Sequence, residues 1–241
     1  WTQISESDWD ILRSNNSEFK NPADFLATMD QYVTEISDFL DLEINHRQKI
    51  IFQARKKPFF DYQFIKDNPN IIFETRSHSR IVRLNLLKFQ TQREAVVRKI
   101  TYVLTPRSSS PSLRVGLGAL LQDKFGNNIA APNYGAQIMP LAKEVVNLAQ
   151  SSTIEAVGSN IYWQRSYYYI LSYSFSKYLI DNYGLNKFME LYQASNLELA
   201  YQEIYNQDLA ALKEQWLDYL EQQESFLYTY EDWLKQKLPS K

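Results

Sequence analysis

The spacing of apolar residues divides the chain into a first helix, a strand-rich segment and a long helical remainder. Residues 1–20 are polar and predict an arm or a short helix. Asn21-Pro22 is typical of an N-cap followed by proline at the first helical position, and apolar residues then recur every three or four positions up to about Leu42. We therefore expect an amphipathic helix over residues 21–42.

Three short apolar runs after this helix predict β-strands. They comprise residues 49–55, 70–76 and 79–87, and Pro58 and Pro69 mark loops between the first two. The runs predict a small sheet between helices, and the sequence leaves the order of its strands open.

From Thr91 onward the apolar positions return to helical spacing. The first helix predicted there spans residues 91–104, and its apolar face carries Val96, Val97, Ile100, Val103 and Leu104. Further helices are predicted at residues 112–125, 137–150, 164–182, 186–194, 198–205, 208–221 and 226–238. Polar breaks fall at residues 106–111, at 127–135 and around Gly158, and Gly184 is a typical residue just after a helix C-terminus.

Composition excludes several classes of function. The 241 residues are 44% apolar with only 6 Gly and 8 Pro, which suits one large or two small globular domains with a real core. The net charge of −2 comes from intermixed charges, so no basic stripe points to a nucleic-acid partner. No apolar run approaches the roughly 18 residues of a transmembrane segment.

The supply of metal ligands is poor. Cysteine is absent, which excludes disulfides and thiolate metal sites. The two histidines, His46 and His78, lie in a predicted loop and a predicted turn, where we expect surface side chains. We therefore expect no bound metal and no cofactor.

Three segments carry a resemblance to one protein family. The helix from Glu94 to Leu104 follows the last strand, as a metal-binding helix does in that family. Pro111–Leu120 is similar to the family's Pro-x-Trp-Leu-x-Glu-Gly-Leu-Ala segment, and Tyr173–Gly184 is similar to its Tyr-x-Phe-x-x-Tyr-Leu-x-x-x-Tyr-Gly helix. With the closing helix at residues 209–220, these matches make residues 20–220 resemble a gluzincin-like (thermolysin-like, peptidase MA-type) metallopeptidase domain.

The resemblance implies a zincin-like α+β fold. In such a fold an N-terminal helix and a small mixed sheet pack on a motif helix, and a mainly α-helical C-terminal layer follows. It implies an N-terminal arm at residues 1–20 and a single domain at 21–222, with an α/β part at 21–105 and a helical part at 106–222. Residues 223–241 then form a C-terminal helical tail.

The residues that perform the family's chemistry are replaced in this chain. The family binds zinc through His-Glu-x-x-His, in which the glutamate is the general base, and through a glutamate on the next helix. The two histidine positions correspond to Arg98 and Tyr102, the general-base position to Lys99 and the third-ligand position to Val115. Arginine carries no acceptor and valine has no donor atom, so the resemblance implies a domain without zinc and without catalysis.

We therefore expect a non-catalytic protein- or peptide-binding or scaffolding module, a pseudoenzyme with a protein or peptide partner. Helical phase places Arg98 and Tyr102 opposite the face formed by Val96, Ile100 and Val103, towards the former cleft. Arg114, Tyr168 and Tyr173 are candidate groove-lining residues.

Two alternatives remain open at the level of sequence. One is a hydrolase with metal-independent chemistry in the same cleft, and the other is an unrelated α+β interaction protein. Because the chain begins at Trp1, we expect a removed upstream segment, and a secreted or membrane-anchored location is slightly favoured over a cytoplasmic one. The oligomeric state stays open.

Overall fold

The computed structural model describes residues 2–7, 10–14, 21–43, 49–55, 80–85, 95–130, 132–161 and 166–237. The chain divides into two compact units. Unit 1 comprises residues 1–106 and 125–127, and unit 2 comprises residues 107–124 and 128–241. The fold belongs to the α+β class and is mostly helical, and the strands of the described residues all lie in unit 1.

Unit 1 contains a four-stranded mixed sheet in the order β1-β2-β3-β4. Strand β1 is antiparallel to β2, whereas β2, β3 and β4 run parallel to one another. Parallel neighbours require a crossover connection, and helix α1 lies between β2 and β3 in the chain. The strands are β1 (Thr2–Glu6), β2 (Asp10–Ser14), β3 (Ile50–Arg55) and β4 (Ile81–Asn85).

Helix α1 (Pro22–Leu40) covers this sheet with an apolar face. It begins at a proline, whose fixed φ suits the first helical position, and the side chain of Asn21 makes no capping hydrogen bond. The ring of Phe25 packs edge-on against Phe52 of β3, with centroids 5.7 Å apart. Helix α2 (Val96–Leu104) contacts both α1 and β4, so α1, α2 and the sheet form one core.

Unit 2 consists of helices arranged around α6. Residues 170–176 of α6 are buried on every side, as expected of a helix in the centre of a helical unit. The buried ring of Trp216 on α9 packs edge-on against Phe175 of α6 at 5.5 Å. The helices are α3 (Pro111–Phe125, whose last residue belongs to unit 1), α4 (Ile138–Leu148), α5 (Ser151–Ala156), α6 (Ser166–Tyr183), α7 (Leu185–Gln193), α8 (Leu197–Tyr205), α9 (Leu209–Glu221) and α10 (Tyr230–Lys237).

Small residues let α3 and α6 approach closely. The hydroxyls of Ser112 and Ser172 are hydrogen-bonded at 3.0 Å, and the backbone N–H of Gly158 donates to Ser112 Oγ at 2.9 Å. One turn further on, a methyl group on Gly116 would overlap both the Ser176 hydroxyl and the carbonyl oxygen of Ser172. Glycine at this position is therefore required by the distance between the two helices.

Most of the predicted helices are confirmed, and the predicted strands at residues 49–55 and 79–87 contain β3 and β4. The predicted strand at residues 70–76 and the two histidines lie outside the described residues. The short-helix alternative for residues 1–20 was wrong, because β1 and β2 occupy this region. Helix α5 was not predicted, because its six residues include only two apolar ones.

Two details of α2 also differ from the prediction. The helix begins at Val96, because Ala95 has the non-helical ψ of 69°, and residues 91–94 lie outside the described residues. Its buried face includes Thr101, whereas Val103 and Leu104 are only half-buried. Burial of Thr101 is tolerated because its hydroxyl donates to the carbonyl oxygen of Val97 at 2.8 Å.

Candidate functional site

Three of the sequence-predicted site residues lie on α2 in unit 1. The Nζ of Lys99, which the resemblance assigns to the general-base position, donates to the carbonyl oxygen of Arg83 on β4 at 2.7 Å. Arg98 and Tyr102 are both half-buried. The ammonium group of Lys99 therefore has a structural role, because its hydrogen bond connects α2 to the sheet.

The remaining predicted residues lie in unit 2. Val115 is buried in an apolar cluster with Ala156 and Tyr168, and Tyr169 packs against this cluster. The phenol of Tyr168 donates to the carbonyl oxygen of Ile161 at 3.2 Å, and its ring is fully buried. Arg114 is half-buried. The structure therefore brings Val115 and Tyr168 together as packing residues, and neither side chain offers surface to a ligand.

Tyr173 is also buried, and it organises a polar contact that sequence reasoning missed. Its hydroxyl donates to Asp123 Oδ2 at 2.6 Å, while Asn133 Nδ2 donates to Asp123 Oδ1 at 2.9 Å and to the carbonyl oxygen of Ala136 at 3.0 Å. Burial, followed by the neighbouring carboxylate of Asp123, raises the pKa of the Tyr173 phenol. The contact fixes the loop around Asn133 to the helical core of unit 2.

That loop forms one wall of an open groove of about 380 Å³. The other wall is the segment between α9 and α10, together with α10 itself. The groove is lined by Gly135, Ala136, Gln137, Pro140, Glu224, Ser225, Phe226, Leu227, Tyr228, Trp233, Gln236 and Lys237. We refer to these residues as the C-terminal groove. They mix apolar rings with amide and charged groups, which suits recognition of a ligand that has both kinds of surface.

A cluster of aromatic rings around Trp233 adjoins the C-terminal groove, and two of its members, Phe226 and Trp233, line the groove. The Trp233 ring is only 3% exposed and packs against Tyr134 at 6.0 Å, Phe226 at 5.7 Å and Tyr230 at 5.8 Å. Because these rings come from the loop, the segment and α10, their contacts hold both walls in place. These contacts fix the loop, the segment and α10 relative to one another around the groove.

The mouth of the groove exposes two large apolar side chains. Leu227 is 90% exposed and Tyr228 is 49% exposed, although the adjacent Phe226 packs inward. Adjacent exposed apolar side chains beside a groove mark an interaction surface more strongly than the same residues scattered singly.

Two local interactions hold the exposed segment in this position. Lys143 Nζ donates to the carbonyl oxygens of Glu221 at 2.5 Å and Gln223 at 3.0 Å, so it caps the C-terminus of α9. Thr229 caps α10, because its hydroxyl accepts from the Asp232 N–H at 3.3 Å and donates to the Asp232 carboxylate at 2.9 Å. The hydrogen bond from Thr229 is the main cause of the lowered pKa of Asp232. The hydrogen bond and the positive charge of Lys235 lower this pKa further.

The Thr229 cap was a signal that sequence reasoning missed. The prediction placed one helix at residues 226–238, whereas α10 begins only at Tyr230. A threonine followed three residues later by an acidic residue is a typical N-terminal capping pattern. Reading Thr229-x-x-Asp232 in this way would have left Phe226, Leu227 and Tyr228 outside the helix.

No cluster of three or more His, Cys, Asp or Glu side chains that could hold a metal ion occurs among the described residues. None of the helices in the described ranges combines the length and the apolar character that a membrane crossing requires. Comparison of the chain with protein-family models, with curated proteins and with solved structures found no match.

Proposed function

We propose that this protein is a non-catalytic binding module that captures a protein or peptide segment in the C-terminal groove. The observation that carries the proposal is the pair Leu227 and Tyr228, which expose large apolar surface in the same groove that Trp233 lines. A ligand confined to the groove would leave the outward side of Leu227 in water. A polypeptide can fill the groove with one side chain and cover Leu227 with its neighbours.

The dimensions of the groove agree with this occupant. A volume of about 380 Å³ lies near the lower end of the roughly 300–1,000 Å³ that ligand pockets span, and it suits one or two side chains. The amides of Gln137 and Gln236 can donate to and accept from a peptide backbone at the same time. Covering Leu227 and Tyr228 contributes about 25 cal/mol for each Å² of apolar surface removed from water.

Peptide selection on the purified protein tests the proposal. A phage-displayed library of random dodecapeptides is selected against the unmodified chain, and the enriched peptides are measured by fluorescence polarisation. In the double variant L227S/Y228S we expect binding to weaken about tenfold or more, because each truncated anchor costs on the order of 1 kcal/mol or more.

Leu199→Ser is the matched control, since Leu199 is 53% exposed on α8 and does not line the groove. We expect peptide binding to this control to change by less than about twofold. We also expect L227S/Y228S and Leu199→Ser to keep the unfolding midpoint of the unmodified chain, because exposed side chains contribute little to stability. Enriched peptides that bind L227S/Y228S as tightly as the unmodified chain would refute the proposal.

We also propose that the domain is gluzincin-like and has lost its zinc chemistry. The loss of zinc chemistry is supported by the side chains at the positions that correspond to the family's zinc ligands and general base. These residues are Arg98, Lys99, Tyr102 and Val115, and they do not form a set of zinc ligands. Elemental analysis of protein purified without chelator is expected to find far less than one zinc per chain. Stoichiometric zinc would contradict the loss of zinc chemistry and leave the C-terminal groove proposal untouched.

A further inference from the structure

Acidic side chains outnumber basic ones around the C-terminal groove. Residues 213–237, which include one wall of the groove, carry six acidic and three basic side chains, whereas the whole chain is close to neutral. All six carboxylates are exposed. They are Glu214, Asp218, Glu221, Glu224, Glu231 and Asp232.

Two of the three lysines in this region are engaged by the protein. Lys213 is half-buried, and its Nζ donates to the carbonyl oxygen of Glu155 at 2.6 Å. Lys235 pairs with Asp232 at 3.3 Å, and Lys143 from α4 lies 3.8 Å from the carboxylate of Glu221. Lys237 lines the groove. The local cations therefore offset only part of the negative charge.

Helical geometry arranges three of the carboxylates in a stripe. Glu214, Asp218 and Glu221 are spaced four and three residues apart on α9, opposite the buried face formed by Leu212, Trp216 and Leu220. The stripe leads along the chain to Glu224, which lines the groove. The seven steps from Glu214 to Glu221 at about 1.5 Å each give the stripe on α9 a length of roughly 10 Å, which an extended peptide covers with about three residues.

We infer that the segment captured in the C-terminal groove is basic, with an apolar side chain in the groove and lysine or arginine residues along the acidic stripe of α9. This inference rests on the proposed function and adds the chemical class of the partner. Charge complementarity supports this inference. The groove accepts the apolar anchor, and the carboxylates attract the cationic side chains that flank it in the sequence of the peptide.

The same selected peptides test the inference when two charge variants are compared. The variant E214Q/D218N/E224Q removes three carboxylates of the stripe and the groove and keeps the side-chain size. The control E190Q/E198Q/E203Q removes three exposed carboxylates from α7 and α8, so both variants have the same net charge.

We expect selection on the unmodified chain to enrich peptides with net positive charge. Their binding should weaken about tenfold in E214Q/D218N/E224Q, at roughly twofold per exposed carboxylate, and by less than twofold in the control. Binding to the unmodified chain should also weaken as sodium chloride rises from 50 to about 500 mM, because salt screens exposed charges.

The possible failures can be told apart. If the peptides depend on Leu227 and Tyr228 but show no preference for positive charge, the inference is wrong and the proposed function stands. If their binding does not depend on these two residues, the proposed function fails and the inference fails with it. Equal losses in the two charge variants would show a general effect of net charge and would also overturn the inference.

Discussion

Replacement of Gly116 by alanine should destabilise unit 2, although the same change stabilises most helices. In a helix interior alanine is more favourable than glycine by about 1 kcal/mol. At this position the new methyl group would overlap the carbonyl oxygen of Ser172 and the Oγ of Ser176, and it would lie 2.8 Å from Ser176 Cβ. The hydroxyl belongs to a side chain, but the carbonyl belongs to the backbone of α6.

The expected magnitude follows from how the overlap can be relieved. Restoring a normal contact requires α3 and α6 to separate by about 1 Å, and a gap of this size forfeits a quarter to a half of each dispersion contact along the interface. Overpacking of this kind costs about 1–3 kcal/mol or more, and it is partly offset by the gain in helix propensity. Because one overlap is with a backbone atom, we expect a cost at the upper end, about 3 kcal/mol, which the propensity gain of about 1 kcal/mol reduces to a net loss of about 2 kcal/mol in the free energy of unfolding.

Urea denaturation measures this loss, with tryptophan fluorescence and circular dichroism as probes. Trp216 is fully buried in unit 2, so unfolding of the unit that contains Gly116 changes its contribution to the emission of the five tryptophans. Ser176→Ala is the matched control, since Ser176 Oγ is buried without a hydrogen-bond partner among the described residues. We expect this control to be neutral or slightly stabilising.

The double variant G116A/S176A separates the two overlaps. It should recover only part of the lost stability, because the overlap with the Ser172 carbonyl oxygen remains. If G116A alone stabilised the protein by about 1 kcal/mol, as in an exposed helix, the close approach of α3 and α6 would be refuted. Full recovery in the double variant would refute the argument from the backbone carbonyl.

Three further predictions concern buried titratable groups and their hydrogen bonds. Burial raises the pKa values of Tyr173 and Tyr201 above the ordinary value of about 10, so the unfolded chain loses these protons first. Stability should fall above pH 10 by about 1.4 kcal/mol per pH unit for each tyrosine, and a flat profile in urea titrations at pH 9–11.5 would contradict this. Burial lowers the pKa of Lys213 to about 8, so between pH 8 and 10 the folded state binds fewer protons than the unfolded state and stability should rise. The same titrations of Lys213→Met should lack that rise. Tyr173→Phe leaves Asp123 without the phenol donor and should cost about 1–3 kcal/mol in urea denaturation, and an unchanged midpoint would argue against a structural role for this bond.

The helices were predictable because their signals are local. Asp208 precedes α9 in the sequence, and its carboxylate accepts the Ala211 N–H at 2.8 Å, as an N-cap residue does. Gly184 follows α6 with a φ of 91°, a conformation that favours glycine. Such features depend on neighbours within a few residues, so the amino-acid sequence contains the information needed to identify them.

Strands β1 and β2 were not predictable in the same way. Their segments are short and polar, and β2 is a strand because it pairs in parallel with β3, which lies about forty residues further along the chain. The burial of Thr101 in α2 has a related explanation. A pattern of polar and apolar residues predicts that threonine is exposed. Thr101 can be buried because its hydroxyl donates a hydrogen bond to the Val97 carbonyl oxygen in the same helix.

The C-terminal groove shows the same division between local and distant information. The sequence by itself determined the apolar and aromatic character of residues 226–233 and, through Thr229 and Asp232, the point at which α10 begins. Only the tertiary structure decided that Trp233 is buried against Tyr134 while Leu227 is exposed. The physical reason is that burial depends on which distant surface meets each side chain, and nearly a hundred residues separate Tyr134 from Trp233 in the chain.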